Sequence, residues 1–102
     1  MAAGWKMESS VEDVLIKISG EVDFTGTPQL REELHSFVKQ TAGDVRVDLS
    51  ELDYLDSSGL ASLIELRKIL TGDGRGVKII AVTDQVDRLL KLTQVKPLFG
   101  MK

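Results

Sequence analysis

The alternation of apolar and polar positions divides the chain into short, regular pieces. Trp5 and Met7 alternate with Lys6 and Glu8, a weak edge-strand pattern, and "SSVED" after them reads as a turn. Val14, Ile16 and Ile18 recur at period two, which predicts a strand within Val14–Val22 that ends at Gly20. "TPQLREELHSFVKQTAG" changes to helical spacing: Leu30, Leu34, Phe37 and Val38 form one stripe. Thr27 is the expected N-cap, Pro28 the first helical residue and Gly43 the stop. Val45, Val47 and Leu49 alternate with Arg46 and Asp48, predicting a strand over Val45–Leu52.

A second helix is expected over Ser58–Leu70, with Leu60, Leu63, Ile64 and Arg67 on one face. With Leu63, Ile64 and Leu66 buried, Ser62, Glu65 and Lys68 are expected to face solvent. "GDGRG" is a turn, and "VKIIAV" (Val77–Val82) is apolar enough for a strand in a sheet covered on both faces. Thr83 or Asp84 caps a third helix, with Val86, Leu89, Leu90 and Thr93 inward, and Pro97 prevents its continuation. Strands alternating with helices imply crossovers and a single α/β domain spanning residues 1–102. Its sheet is mixed and mostly parallel, of about four to five strands, with helices packed against it and residues 1–10 as edge strand and turn. Function belongs outside the carboxyl ends of the strands, where the loops Gly20–Thr27, Ser50–Ser57 and Thr83–Asp84 meet.

Composition narrows the classes. A chain of 102 residues with 42% hydrophobic and 28% charged residues is an ordinary globule that buries a core without staples. The net charge of -3 argues against nucleic-acid binding, and the five aromatic residues weaken a base-stacking reading. The absence of cysteine excludes disulfides and thiolate metal sites and fits a reducing cytosol. No apolar run is long enough for a membrane span, and "MAAGWKMESS" lacks the core of a signal peptide.

Most candidate chemistry has a structural explanation. "GDGRG" follows a helix and opens a strand, the reverse of a phosphate-binding loop. His35, the single histidine, sits beyond the Leu30/Leu34 stripe and reads as an exposed surface residue without metal-ligand companions. Asp23, Asp48, Asp53 and Asp56 form an acidic set near the functional edge; Asp48 lies on a strand opposite the Val47/Leu49 face, and the other three either serve turns and caps or coordinate a magnesium ion beside a phosphate. "LDYLDSSGLASLIELRK" is different. Asp56, Ser57 and Ser58 all compete for one cap position, and Gly59 costs the first turn about 1 kcal/mol relative to alanine. A phosphate on Ser57 would meet free N–H groups and the positive end of the helix dipole. Capping and a functional serine therefore both remain, with Gly59 opening room for a partner to approach.

"VRVDLSELDYL" leading into "DSSGLASLIELRK" resembles the STAS domain family, and within it the bacterial anti-sigma factor antagonists. "ISGEVDFTGTPQLREEL" resembles the family's Gly-Glu-hydrophobic-Asp stretch, and "VKIIAVTDQVDRLLKLTQVKPLF" its last strand and third helix. The likeness covers about residues 11–100. Ala61 replaces a glycine of many relatives, and the chain stops soon after Phe99, where many continue into a further helix. The resemblance implies a cytoplasmic, cofactor-free switch protein that is not an enzyme. Unphosphorylated, it binds an anti-sigma factor that is also a serine kinase, which frees the sigma factor. Phosphorylation of the serine after the motif aspartate, here Ser57, ends binding, and a serine phosphatase restores it. Asp23 and Asp56, with Ser58, Gly59, Leu60, Ser62 and Glu65 of the contact helix, are then the partner-binding residues. Two rivals are a STAS scaffold or accessory subunit of a signalling or transport complex, and a small transferase with Ser57 as nucleophile.

Overall fold

The computed structural model describes residues 4–102, so residues 1–3 of the expected N-terminal strand and turn lie outside the described part. Strands β1 (Trp5–Ser10) and β2 (Leu15–Val22) form an antiparallel hairpin. They are followed by α1 (Thr27–Gln40), β3 (Val45–Leu55), α2 (Ser57–Gly72), β4 (Val77–Val82) and α3 (Asp84–Leu92). A short 3-10 turn, Lys96–Phe99, follows. The sheet order is β1-β2-β3-β4, with β2, β3 and β4 parallel, as crossovers through helices require.

Burial along β2 and β3 follows the sequence alternation. Ile16, Ile18, Val45, Val47 and Leu49 point into a core shared with Leu30, Leu34 and Phe37 of α1, Leu63, Leu66 and Leu70 of α2, and Val86 and Leu90 of α3. All three helices cover this one face. On the other face Lys6, Glu8, Arg46, Ser50 and Lys78 are exposed, and Lys17 pairs with Glu51. The sheet is therefore not covered on both faces, and the apolar content of β4 misleads because Ile80 is exposed. The register slips between Val47 and Asp48, leaving Ile80 unpaired at a bulge.

Local boundaries differ from the sequence pattern in several places. Ser9 and Ser10 belong to β1, and the turn falls at Val11–Val14, where Val14 has φ of 50°. β2 runs past Gly20 to Val22 through register shifts against β3. β3 continues to Leu55, which shrinks the expected Ser50–Ser57 loop to Asp56. Leu52 and Leu55 are buried, three apart, where strict alternation would have separated them. α1 keeps its predicted stripe, but its N-cap is Gly26, whose side chain offers no acceptor. Thr93 lies exposed at the C-cap of α3 and does not join Val86 and Leu90 inside.

Candidate functional site

The start of α2 resolves the competition among its three cap residues. Asp56 has extended backbone and is the N-cap, its Oδ1 accepting from the Gly59 N–H at 3.0 Å. Ser58 donates its hydroxyl proton to the same oxygen at 2.6 Å. Ser57 stands in the first turn, exposed, and none of these bonds uses its hydroxyl. The side chain that caps and the side chain that faces water are thus adjacent but distinct.

The β2–α1 loop closes on this turn. The Asp56 N–H donates to the Val22 carbonyl at 3.2 Å, and Thr27 Oγ1 lies 3.0 Å from Ser58 Oγ. The Thr27 hydroxyl also donates to the Asp23 carbonyl at 3.0 Å, which ties the loop to the Ser58–Asp56 pair. The Asp23 carboxylate accepts from the Thr25 N–H at 2.9 Å and the Thr25 hydroxyl at 2.5 Å, a closed Asx turn. The third loop joins through Thr83, whose hydroxyl donates to the Leu52 carbonyl at 2.7 Å and accepts from the Val86 N–H. The three loops expected to converge do so, and Thr83, not Asp84, is the cap of α3.

Hydrogen bonding sets the charge of the site. The Ser58 hydroxyl, with backbone N–H groups of Ser58, Gly59 and Phe24, holds the Asp56 carboxyl below its ordinary range. The Thr25 hydroxyl and N–H do the same for Asp23, against an opposing push from the Asp56 charge. Both are therefore anions at neutral pH. Asp48 accepts from the Ser50 N–H at 2.8 Å and Asp53 is exposed on β3. Asp23 thus serves a turn and Asp56 a cap, and among the described residues no group of three ligand side chains is placed to hold a metal.

Several expected contact residues point inward. Gly59 is buried, and a methyl group there would fall 2.5 Å from Leu55 Cδ1 and 3.0 Å from Val22 Cγ1. Its role is close packing of α2 on the strand ends, not access for a partner. Leu60 and Ser62 are 5% and 3% exposed, so neither side chain offers a contact surface. Ser62 was expected outside, but its hydroxyl is satisfied by the Ser58 carbonyl at 3.2 Å, which lets a polar residue sit in the interior. Ile64 is only partly covered and Leu66 takes its inner place. In the first three turns of α2 the outward positions are Ser57, Ala61 and Lys68, with Ser58 and Glu65 half-buried.

Glu65 is bound within the molecule. Its Oε1 accepts from Arg31 at 3.0 Å and lies 2.7 Å from His35 Nε2, both on α1. The Arg31 hydrogen bond leads in lowering the Glu65 pKa. His35 is consequently half-buried in an inter-helix clasp and not the free surface histidine that its spacing suggested. Sequence reasoning also passed over Phe24, which is 72% exposed beside Asp23. Its only signal was an aromatic residue outside any apolar period.

A four-stranded mixed sheet with helices on one face, and a capped serine turn at its carboxyl edge, defines the class. The "Mlab, STAS domain" family matches residues 5–99, and the chain belongs to the STAS domain family. An anti-sigma-B factor antagonist of Staphylococcus aureus (strain NCTC 8325 / PS 47) is 30% identical over 94 residues, covering 90% of this chain and 87% of the relative. One from Staphylococcus epidermidis is 31% identical over 83 residues, 81% of this chain and 77% of the relative. The fold matches an anti-sigma factor antagonist from Mycobacterium paratuberculosis with TM-score 0.84 at 24% identity, covering 95% and 84% of the two chains. It also matches unphosphorylated SpoIIAA, another anti-sigma factor antagonist, with TM-score 0.74 at 17% identity over 92% and 84%. Among the described residues no helix is long and apolar enough to cross a membrane.

Proposed function

We propose that this chain is an anti-sigma factor antagonist whose binding is switched by phosphorylation of Ser57. The unmodified chain binds an anti-sigma factor that is also a serine kinase, and the sigma factor is released. Ser57 Oγ then takes the γ-phosphoryl group of ATP, losing its proton as ADP leaves. A serine phosphatase hydrolyses the ester and restores binding. The chain acts by binding, in the cytoplasm, and is not an enzyme.

The observation that carries this reading is the division of labour at the turn. Asp56 and Ser58 satisfy the cap, so the exposed Ser57 hydroxyl is spared for modification. The segments 18–30 and 47–66 contain no lysine or arginine, and Arg31 is committed to Glu65. A phosphate dianion there gains the helix dipole but stands beside the Asp23 and Asp56 carboxylates with no cation to mask it. Its charge alters the surface without offering the fold a new internal partner. The same setting disfavours a nucleophilic role, since His35 is spent on Glu65 and Ser57 lacks a base. Incubation with an anti-sigma serine kinase and ATP tests the assignment. Tandem mass spectrometry is expected to find one phosphate on Ser57, and a phosphate only on Ser58, Thr25 or Thr83 would contradict it.

A further inference from the structure

The loop between β2 and α1 holds a phenyl ring in water next to the serine turn. Phe24 is 72% exposed, yet the loop on either side of it is tied by hydrogen bonds. The Thr25 N–H beside it donates to the Asp23 carboxylate at 2.9 Å, and the Gly26 N–H donates to the Asp23 carbonyl at 3.1 Å. Gly26 itself lies against the Trp5 indole, where a methyl group would fall 2.3 Å from Nε1. Thr27 closes the loop onto Ser58. An aromatic residue on an immobilised backbone loses little entropy on binding, the property of an interface anchor.

The surroundings describe the occupant. Asp23 and Asp56 carry negative charge beside Phe24, and the two segments that form this edge contain no cationic residue. A second copy of this chain would bring the same acidic rim and be repelled. We propose that Phe24 is the apolar anchor of the partner interface, entering an apolar pocket ringed by basic side chains on the anti-sigma serine kinase. This rests on the antagonist reading and adds to it the residue that supplies affinity beside the switch. Ser57 sets whether binding occurs, and Phe24 sets how tightly.

The test uses purified anti-sigma serine kinases. Kd is measured for the wild type, Phe24→Ala, Phe24→Leu and Ser57→Asp, with thermal melting of each, and KM and kcat for the three chains that keep the Ser57 hydroxyl. Phe24→Ala is expected to raise Kd and KM by about thirtyfold, the loss of a central anchor, while kcat stays within about twofold. Phe24→Leu should recover most of that affinity, and added salt should slow association of the wild type. Wild-type affinity in Phe24→Ala, with binding lost in Ser57→Asp, overturns the anchor and leaves the switch standing. A wild-type dimer that Phe24→Ala dissolves overturns it in favour of a second copy. Failure of such kinases to bind or phosphorylate the wild type overturns the antagonist reading, and the anchor with it.

Discussion

Ser58 gives its hydroxyl proton to Asp56 at 2.6 Å, and so the residue next to the exposed serine belongs to the cap. The bond explains why two adjacent serines are not equivalent. Ser58 is half-buried between Asp56 and Thr27, and a phosphate there would break both contacts. Ser57 points into solvent and breaks none.

The cap predicts a stability cost at Asp56. Asp56→Ala leaves the Gly59 N–H and the Ser58 hydroxyl without their acceptor and should cost about 1 kcal/mol. In a domain of this size that lowers the melting temperature by about 4–8 °C. Asp56→Asn keeps an acceptor and should lose less. Thermal denaturation of both variants checks the order.

Gly59 sets two effects against each other. Alanine gains about 1 kcal/mol of helix propensity. Its methyl group meets Leu55 and Val22 at 2.5 and 3.0 Å, and overpacking of a core costs about 1–3 kcal/mol. Gly59→Ala should therefore be net destabilising by about 1 kcal/mol, the difference of those terms. In a Leu55→Ala background the clash is relieved and the same change should become neutral or stabilising. A double-mutant cycle from urea midpoints measures the coupling.

The strands, helices and core of this fold were legible because they rest on periodicity. The stripe Leu30, Leu34, Phe37 and Val38 is buried as its spacing requires. What was not legible depends on tertiary contact. Ser62 reads as polar, but a bond to the Ser58 carbonyl lets it sit inside. Gly59 reads as a weak point in a helix until Leu55 and Val22 are seen against it. His35 reads as solvent-exposed because nothing in the sequence brings Glu65, 30 residues away, to its ring. The serine turn was found from residue type and resemblance, but which of three residues caps was settled only by geometry.

Acid should weaken the site with a definite sign. Asp56 is depressed from 3.8, chiefly by Ser58, and Glu65 from 4.5, chiefly by Arg31. A depressed carboxyl contributes stability that is present above its unfolded pKa and lost as pH falls through its folded one. The loss should thus begin as pH drops past 4.5 and 3.8 and be complete only below the lowered values. Asp56→Asn and Glu65→Gln should each flatten this acid limb. Urea midpoints from about pH 6 to about pH 3 check it. An unchanged limb in both variants would contradict the assigned bonds.

Glu65 also separates fold from binding. Glu65→Lys replaces its attraction to Arg31 by repulsion, yet the pair is partly exposed and stability should change by about 1 kcal/mol or less. Affinity for the kinase should fall further than in Glu33→Lys on α1. Equal losses in a titration would argue against a single contact face centred on α2.

The central claim is that Ser57 is a switch and not a cap, and Ser57→Asp titrated into the anti-sigma serine kinase tests it most directly. The fold should tolerate the change, because a first-turn carboxylate gains about 0.3–1 kcal/mol from the helix dipole while Asp23 and Asp56 oppose it by a similar amount. Thermal melting of the same sample verifies that the fold is kept. A charge trapped in the interface without a partner costs about 2–5 kcal/mol, so affinity should fall at least about thirtyfold below that of wild type and Ser57→Ala. Folded Ser57→Asp that binds as tightly as the wild type would contradict the account.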